Sequence, residues 1–139
     1  MLTAERVVPT TCPYCGVGCQ MDLHLRGGMI LRVTGRSDNL VNFGNLCVKG
    51  RFGLDFVHAP DRLTTPLSRA SRIDPLSPTS WEAALDVVAG RLLDLRDRFG
   101  PDSLAFLTSA KCTNEENYLL QKLARAQIGT NNIDHCARL

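Results

Sequence analysis

The sequence predicts two unlike parts: a small antiparallel α+β unit over residues 1–60 and the beginning of a doubly wound α/β domain over 61–139. Three observations point there. Period-two alternation flanks a Gly27-Gly28 pair, prolines and hydroxyls gather after residue 60, and two helical patterns then bracket one short apolar run. In "QMDLHLRGGMILRV" (20–33), Met21, Leu23 and Leu25 alternate with Asp22, His24 and Arg26, and Ile30, Leu31 and Val33 follow the glycines. Two short strands around a two-residue glycine turn make a hairpin, with His24 a solvated residue on its polar side. Phe52, Phe56 and Val57 have helical spacing, so a short helix follows Cys47, with His58 at its end.

The second part opens on prolines at 60, 66, 75 and 78, an extended crossing segment with room for one short strand. A helix comes next. Thr79 and Glu82 have capping-box spacing, Trp81, Ala84, Leu85, Val88, Leu92, Leu95 and Phe99 trace one apolar face, and Gly100-Pro101 ends it. "SLAFLT" (103–108) suits a buried strand, Thr113 and Glu116 have the spacing of a second capping box, Gly129 is the stop, and another strand begins near Asn132. Strand, helix and strand in this order form one βαβ unit, the seed of a parallel sheet.

Composition excludes several classes. A hydrophobic share of 44% and a charged share of 22% are those of an ordinary globular chain. A net charge of +2 gives no reason to expect nucleic acid or a membrane surface as partner. No apolar run approaches the roughly 20 residues of a spanning helix. "MLTAERVVPTTC" has neither a signal peptide's apolar core nor a twin arginine, so the expected location is the cytoplasm. Thiols stay reduced there, and clustered cysteines serve as metal ligands more often than as disulfides.

Cys12, Cys15 and Cys19 in "TTCPYCGVGCQ" and Cys47 in "LCVKGRFG" give the pattern C-x2-C-x3-C-x27-C. Structural zinc favours two close pairs of ligands. Three ligands from one tight loop and one from afar suit a [4Fe–4S] cubane better, and glycines at 16 and 18 let the loop fold around it. Zinc ranks second. A CxxC redox pair, which leaves Cys19 and Cys47 unexplained, ranks third.

"CPYCGVGC", "LCVKGRFG", the "SWEAALDVVAGRL" helix and "NEENYLLQKLARAQIGTNNIDHCARL" together resemble the start of the catalytic subunit of molybdenum or tungsten bis-pterin oxidoreductases. More narrowly, from about Val8 to Leu139, they resemble formate dehydrogenase alpha subunits. The cysteine loop is shared with assimilatory nitrate reductases, which stay the alternative, and "GTNNIDHCARL" favours formate. The resemblance implies that Cys12, Cys15, Cys19 and Cys47 hold a [4Fe–4S] cluster and that Lys49 lies between cluster and pterin as an electron-transfer residue. It implies a molybdenum (or tungsten) bis-molybdopterin guanine dinucleotide in the full-length enzyme, formate as substrate, and an electron-accepting subunit, ferredoxin or NAD module as partner.

The loop "TSAKCTNEE" sits where a strand hands over to a helix, a place where α/β folds present free amides to phosphate. Ser109, Lys111 and Asn114 are therefore candidate contacts of the pterin dinucleotide. Cys112 and Cys136 read as small buried residues, and Glu115 and Glu116 complement the helix dipole. No catalytic residue is expected within the chain, because the family's cysteine or selenocysteine metal ligand would follow Leu139. A UGA codon read as stop explains that coincidence, and a chain cut at an arbitrary boundary is the alternative. Two readings from other classes remain: a stand-alone iron–sulfur electron carrier, which leaves the residues after the cluster loop unexplained, and a zinc-ribbon interaction module, which explains the four cysteines alone.

Overall fold

A computed structural model describes residues 3–136. By the contacts its residues make, the chain divides into two units. One comprises the described residues up to Pro60 with Thr108–Leu119 and the described residues from His135, and the other Asp61–Leu107 with Leu120–Asp134.

The first unit is built on a three-stranded antiparallel sheet: β1 (Arg6–Thr11), β2 (Gln20–Arg26) and β3 (Met29–Gly35), with β2 in the middle. Gly27 (φ 54°) and Gly28 (φ 80°) both adopt the left-handed region. That is the conformation a two-residue hairpin turn of primed type demands, and it sets Arg26 opposite Met29; a bulge between His24 and Leu25 then shifts the register so that Leu23 faces Val33. The sequence reading did not include β1. It occupies an edge, where Pro9, opposite Asp22, costs no central ladder bond. Met21, Val33, Leu54 and Cys12 form the buried core, with Tyr14, Cys19, Leu23, Ile30 and Leu46 packed against it. Helix α1 (Val48–Phe52) contacts β3, and a 3-10 turn over Asp55–His58 follows. His58 accepts a hydrogen bond from the amide of Ile30 at 3.1 Å. His24 lies 2.9 Å from the Thr34 hydroxyl.

In the second unit, β4 (Leu67–Ser68) and β5 (Ser77–Pro78) form a short antiparallel pair before α2 (Trp81–Phe99). The N-cap of α2 is Ser80 and not Thr79: Ser80 Oγ accepts from Ala83 N at 3.1 Å. The Ser80 carbonyl takes the first intrahelical bond, from Ala84 N at 3.0 Å, while the Thr79 amide pairs with the carbonyl of Pro66 at 3.0 Å. Gly100 (φ 82°) ends α2, as its sequence position predicts. The predicted apolar face exists but is not core. No α2 residue is buried, and Trp81, Leu85, Val88 and Phe99 are exposed among the described residues.

The strand predicted at 103–108 is shorter, β6 (Phe106–Thr108), because Pro101–Ser103 turns as a 3-10 helix with Ser103 Oγ on the Gly100 carbonyl at 2.7 Å. Strand β6 pairs with β7 (Ile133–His135), which begins where the sequence reading placed it. Between them in sequence runs α3 (Asn114–Lys122), continued by a π-helical stretch over Leu123–Ile128 to Gly129 in the left-handed region. Ala124, Ile128 and Thr130 are buried, and Thr130 Oγ1 donates to Asp102 Oδ1 at 2.8 Å.

Candidate metal centre

The loop from Cys12 to Cys19 leaves β1 and returns to β2, and the amide of Cys12 closes it on the Cys19 carbonyl at 2.8 Å. Tyr14 anchors it from within. Its hydroxyl donates to the Gly53 carbonyl at the end of α1, and its ring meets Phe56 edge-on at 6.3 Å. Cys47 stands at the N-cap of α1 with an extended backbone and no side-chain cap bond.

All four thiols are free of disulfides. Cys12 is buried in the core, Cys15 and Cys19 are half-buried, and Cys47 is exposed. Burial pushes the Cys12 thiol above its usual range; the Tyr14 amide opposes the shift, while Cys47 and Cys15 add to it. Cys19 is raised first by burial and then by Cys12, Cys15 and Cys47. Cys12 and Cys19 are thus each raised by burial first, with neighbouring cysteines adding to the shift. Gly50 leaves room beside the Cys12 thiol: a Cβ there would stand 3.3 Å from Cys12 Sγ.

Among the described residues, no three His, Cys, Asp or Glu side chains converge on one point where they could share a single metal ion. A cubane asks for a different geometry, with four thiolates spread over four separate irons. The donor set, four thiols outside any disulfide, fits that group.

Lys49 lies on α1, two residues beyond Cys47, and is half-buried. Ser109 Oγ sits 3.4 Å from Cys136 Sγ and accepts from the Lys111 amide at 3.1 Å. Asn114 is brought to the cysteine loop, its Nδ2 donating to the Gly16 carbonyl at 2.8 Å across 98 residues of sequence. Thr113 and Glu116 form the predicted capping box: Glu116 Oε2 accepts from Thr113 N at 2.7 Å and Thr113 Oγ1 accepts from Glu116 N at 3.3 Å. Cys112 is half-buried, but Cys136 is exposed and not the small buried residue expected. The Ser109 hydroxyl, the Ala110 amide, His135 and Lys111 hold the Cys136 thiol below the usual range. The position after Leu139 lies outside the described residues. Sequence reasoning missed Tyr14, Gly50 and Asn42, the first two signalled only by their nearness to cysteines in "CPYC" and "CVKG".

The family model of the molybdopterin oxidoreductase Fe4S4 domain matches residues 5–59, and that of the molybdopterin oxidoreductase domain matches residues 62–139. The chain belongs to the molybdopterin oxidoreductase family. Among curated members, the chain is 52% identical over 129 residues to the protein named "Probable oxidoreductase YjgC" of Bacillus subtilis, covering 93% of this chain and 13% of that one. It is 44% identical over 134 residues to the F420-dependent formate dehydrogenase subunit alpha of Methanocaldococcus jannaschii, covering 96% and 19%. Over 132 residues it is 44% identical to the F420-dependent formate dehydrogenase 1 subunit alpha of Methanococcus maripaludis, covering 95% and 19%. The chain therefore spans less than a fifth of the length of these relatives.

Proposed function

We propose that Cys12, Cys15, Cys19 and Cys47 hold one [4Fe–4S] cluster, in a domain of residues 1–60 that precedes the beginning, over 61–139, of a doubly wound pterin-binding domain. The observation that carries this reading is the loop that closes the Cys12 amide on the Cys19 carbonyl at 2.8 Å with Cys15 between them, while Gly50, three residues after Cys47, brings its backbone close to Cys12 Sγ. Lys49 is the electron-transfer residue beside it: an ammonium next to a tetrathiolate cluster of net negative charge raises the cluster's potential. Ser109, Lys111 and Asn114 are the candidate contacts of the pterin dinucleotide. The bond of Asn114 to Gly16 makes its role double, since it ties the pterin-side loop to the cysteine loop.

The whole enzyme, in this reading, oxidises formate to carbon dioxide, a proton and two electrons, passes them to a partner subunit or soluble carrier, and works in the cytoplasm. The relatives' names as formate dehydrogenase subunits supply the substrate. The metal–pterin and iron–sulfur groups supply the redox chemistry when bound, and this chain's residues supply thiolate ligands, orientation and one ammonium. Among the described residues no helix is long and apolar enough to cross a membrane.

The test of the substrate is direct. A polypeptide that continues this chain to the relatives' length should reduce a dye with formate once the pterin cofactor is supplied, and the 139 residues alone, less than a fifth of that length, should not. Metal-dependent formate oxidation by the short chain would overturn the assignment, because it would put the reacting centre among residues assigned here to electron exit.

A further inference from the structure

Asn42 lies in the turn between β3 and Cys47, and only 7% of it is exposed. Its carboxamide is spent on backbone. Oδ1 accepts from the Gln20 amide at 2.8 Å, while Nδ2 donates to the Gln20 carbonyl at 3.1 Å and to the Asn45 carbonyl at 2.7 Å. Gln20 directly follows Cys19, and Asn45 stands two residues before Cys47. One side chain thus ties the exit of the cysteine loop to the approach of the distant cysteine.

The turn around it is arranged to hold that carboxamide. The Asn42 amide donates to Asn39 Oδ1 at 3.1 Å, and the Asn42 carbonyl accepts from Asn45 N at 2.7 Å. Phe43 adopts φ 47°, a left-handed conformation that a residue with a Cβ rarely takes, and its ring is exposed, so packing of the ring is not what holds it there. Gly44 also is left-handed, and its carbonyl approaches Gly35 at the end of β3, where a Cβ would collide with it. Backbone in sparsely populated regions persists where surrounding bonds over-determine it, and here those bonds converge on Asn42.

We infer that Asn42 is a positioning residue for the cysteine site. It touches no sulfur, and it sets the spacing of Cys19 and Cys47 before any metal arrives. This rests on the cluster reading above. A site whose ligands are pre-set loses less ordering free energy on metal binding, and loss of such outer partners typically lowers metal affinity by about 10- to 100-fold.

Asn42→Asp tests it in the full chain. That change keeps the shape and the acceptor for Gln20 N, and removes the donor to both carbonyls. Asn42→Ala removes everything, and Ile30→Ala, which loosens core packing without touching these hydrogen bonds, is the control for general destabilisation. In the metal-free chain a short reagent with two thiol-alkylating ends should join Cys19 to Cys47, with the yield severalfold lower in both Asn42 variants and unchanged in Ile30→Ala. After anaerobic reconstitution with iron and sulfide, a chelator should strip iron at least about tenfold faster from the Asn42 variants than from the parent and the control. Reduced samples of Asn42→Asp should show a broadened paramagnetic signal. Unchanged crosslinking and unchanged iron loss in Asn42→Asp would overturn the inference, and so would equal losses in Ile30→Ala. A parent chain that takes up no iron while crosslinking still depends on Asn42 would sink the cluster reading and leave the positioning role standing.

Discussion

Met21→Ala should bring the metal-free first unit close to its unfolding midpoint. Met21 is 2% exposed, the most deeply placed side chain of a core that otherwise consists of Cys12, Val33 and Leu54. Removing it loses roughly 1.5–3 kcal/mol of transfer free energy. It also leaves a cavity that this small sheet cannot close, so the total is about 3 kcal/mol. A unit of this size draws at most about 3–5 kcal/mol from its core, so the variant sits near its midpoint without metal. The assay is hydrogen exchange of the β2 and β3 amides in the full chain with chelator present. An opening equilibrium weakened by about 3 kcal/mol exchanges about 100-fold faster, since each 1.4 kcal/mol is tenfold. Metal that binds only the folded form should restore protection after anaerobic reconstitution with iron and sulfide. Met21→Leu, close in volume, should cost less than about 1.5 kcal/mol. A change below about 1 kcal/mol in Met21→Ala, or faster exchange confined to α2, would refute the placement of this core.

Ser80→Ala should lower the stability of α2 by about 1 kcal/mol, because Ser80 Oγ is the acceptor for an otherwise orphan amide. Trp81, the chain's one tryptophan, adjoins the cap and reports the melt by fluorescence. The same change should raise the titration of Glu82, which its own amide first and the Ser80 hydroxyl second hold below the usual carboxylate range. Alkylation of Cys136 should inflect below the ordinary thiol value of 9.0, since its hydrogen bonds favour the thiolate. In Ser109→Ala the inflection should move up, and a profile identical to the parent's would remove Ser109 from the explanation.

Much of the local structure was legible because its code is local. Gly27-Gly28 dictates the hairpin turn, and Thr113 with Glu116 dictates the start of α3, each through conformations or hydrogen bonds closed within a few residues. The cap of α2 slipped by one residue because Thr79 and Ser80 both offer a hydroxyl; Thr79 still pairs with Pro66, and the helix begins only after it, with Ala84 N on the Ser80 carbonyl. Strand β1 went unread because Pro9 argues against a strand in isolation, and only its edge position beside β2 makes it tolerable. Apolar periodicity found the face of α2 correctly but says nothing of what covers it. The spacing of the cysteines announced the site. Asn42 did not announce itself, since a carboxamide in a turn looks the same whether it caps its own backbone or joins two distant ligand segments.

In the proposed site, Cys12, Cys15, Cys19 and Cys47 hold one iron–sulfur cubane. Anaerobic reconstitution of the full chain, followed by iron and sulfide analysis of single cysteine-to-serine variants, tests it most directly. The parent and Cys112→Ser should each carry about four irons and a broad brown absorption, and serine at any of the four positions should lower the iron content. A colourless parent that holds zinc, or a Cys47→Ser chain that keeps its iron while Cys112→Ser loses it, would contradict the account.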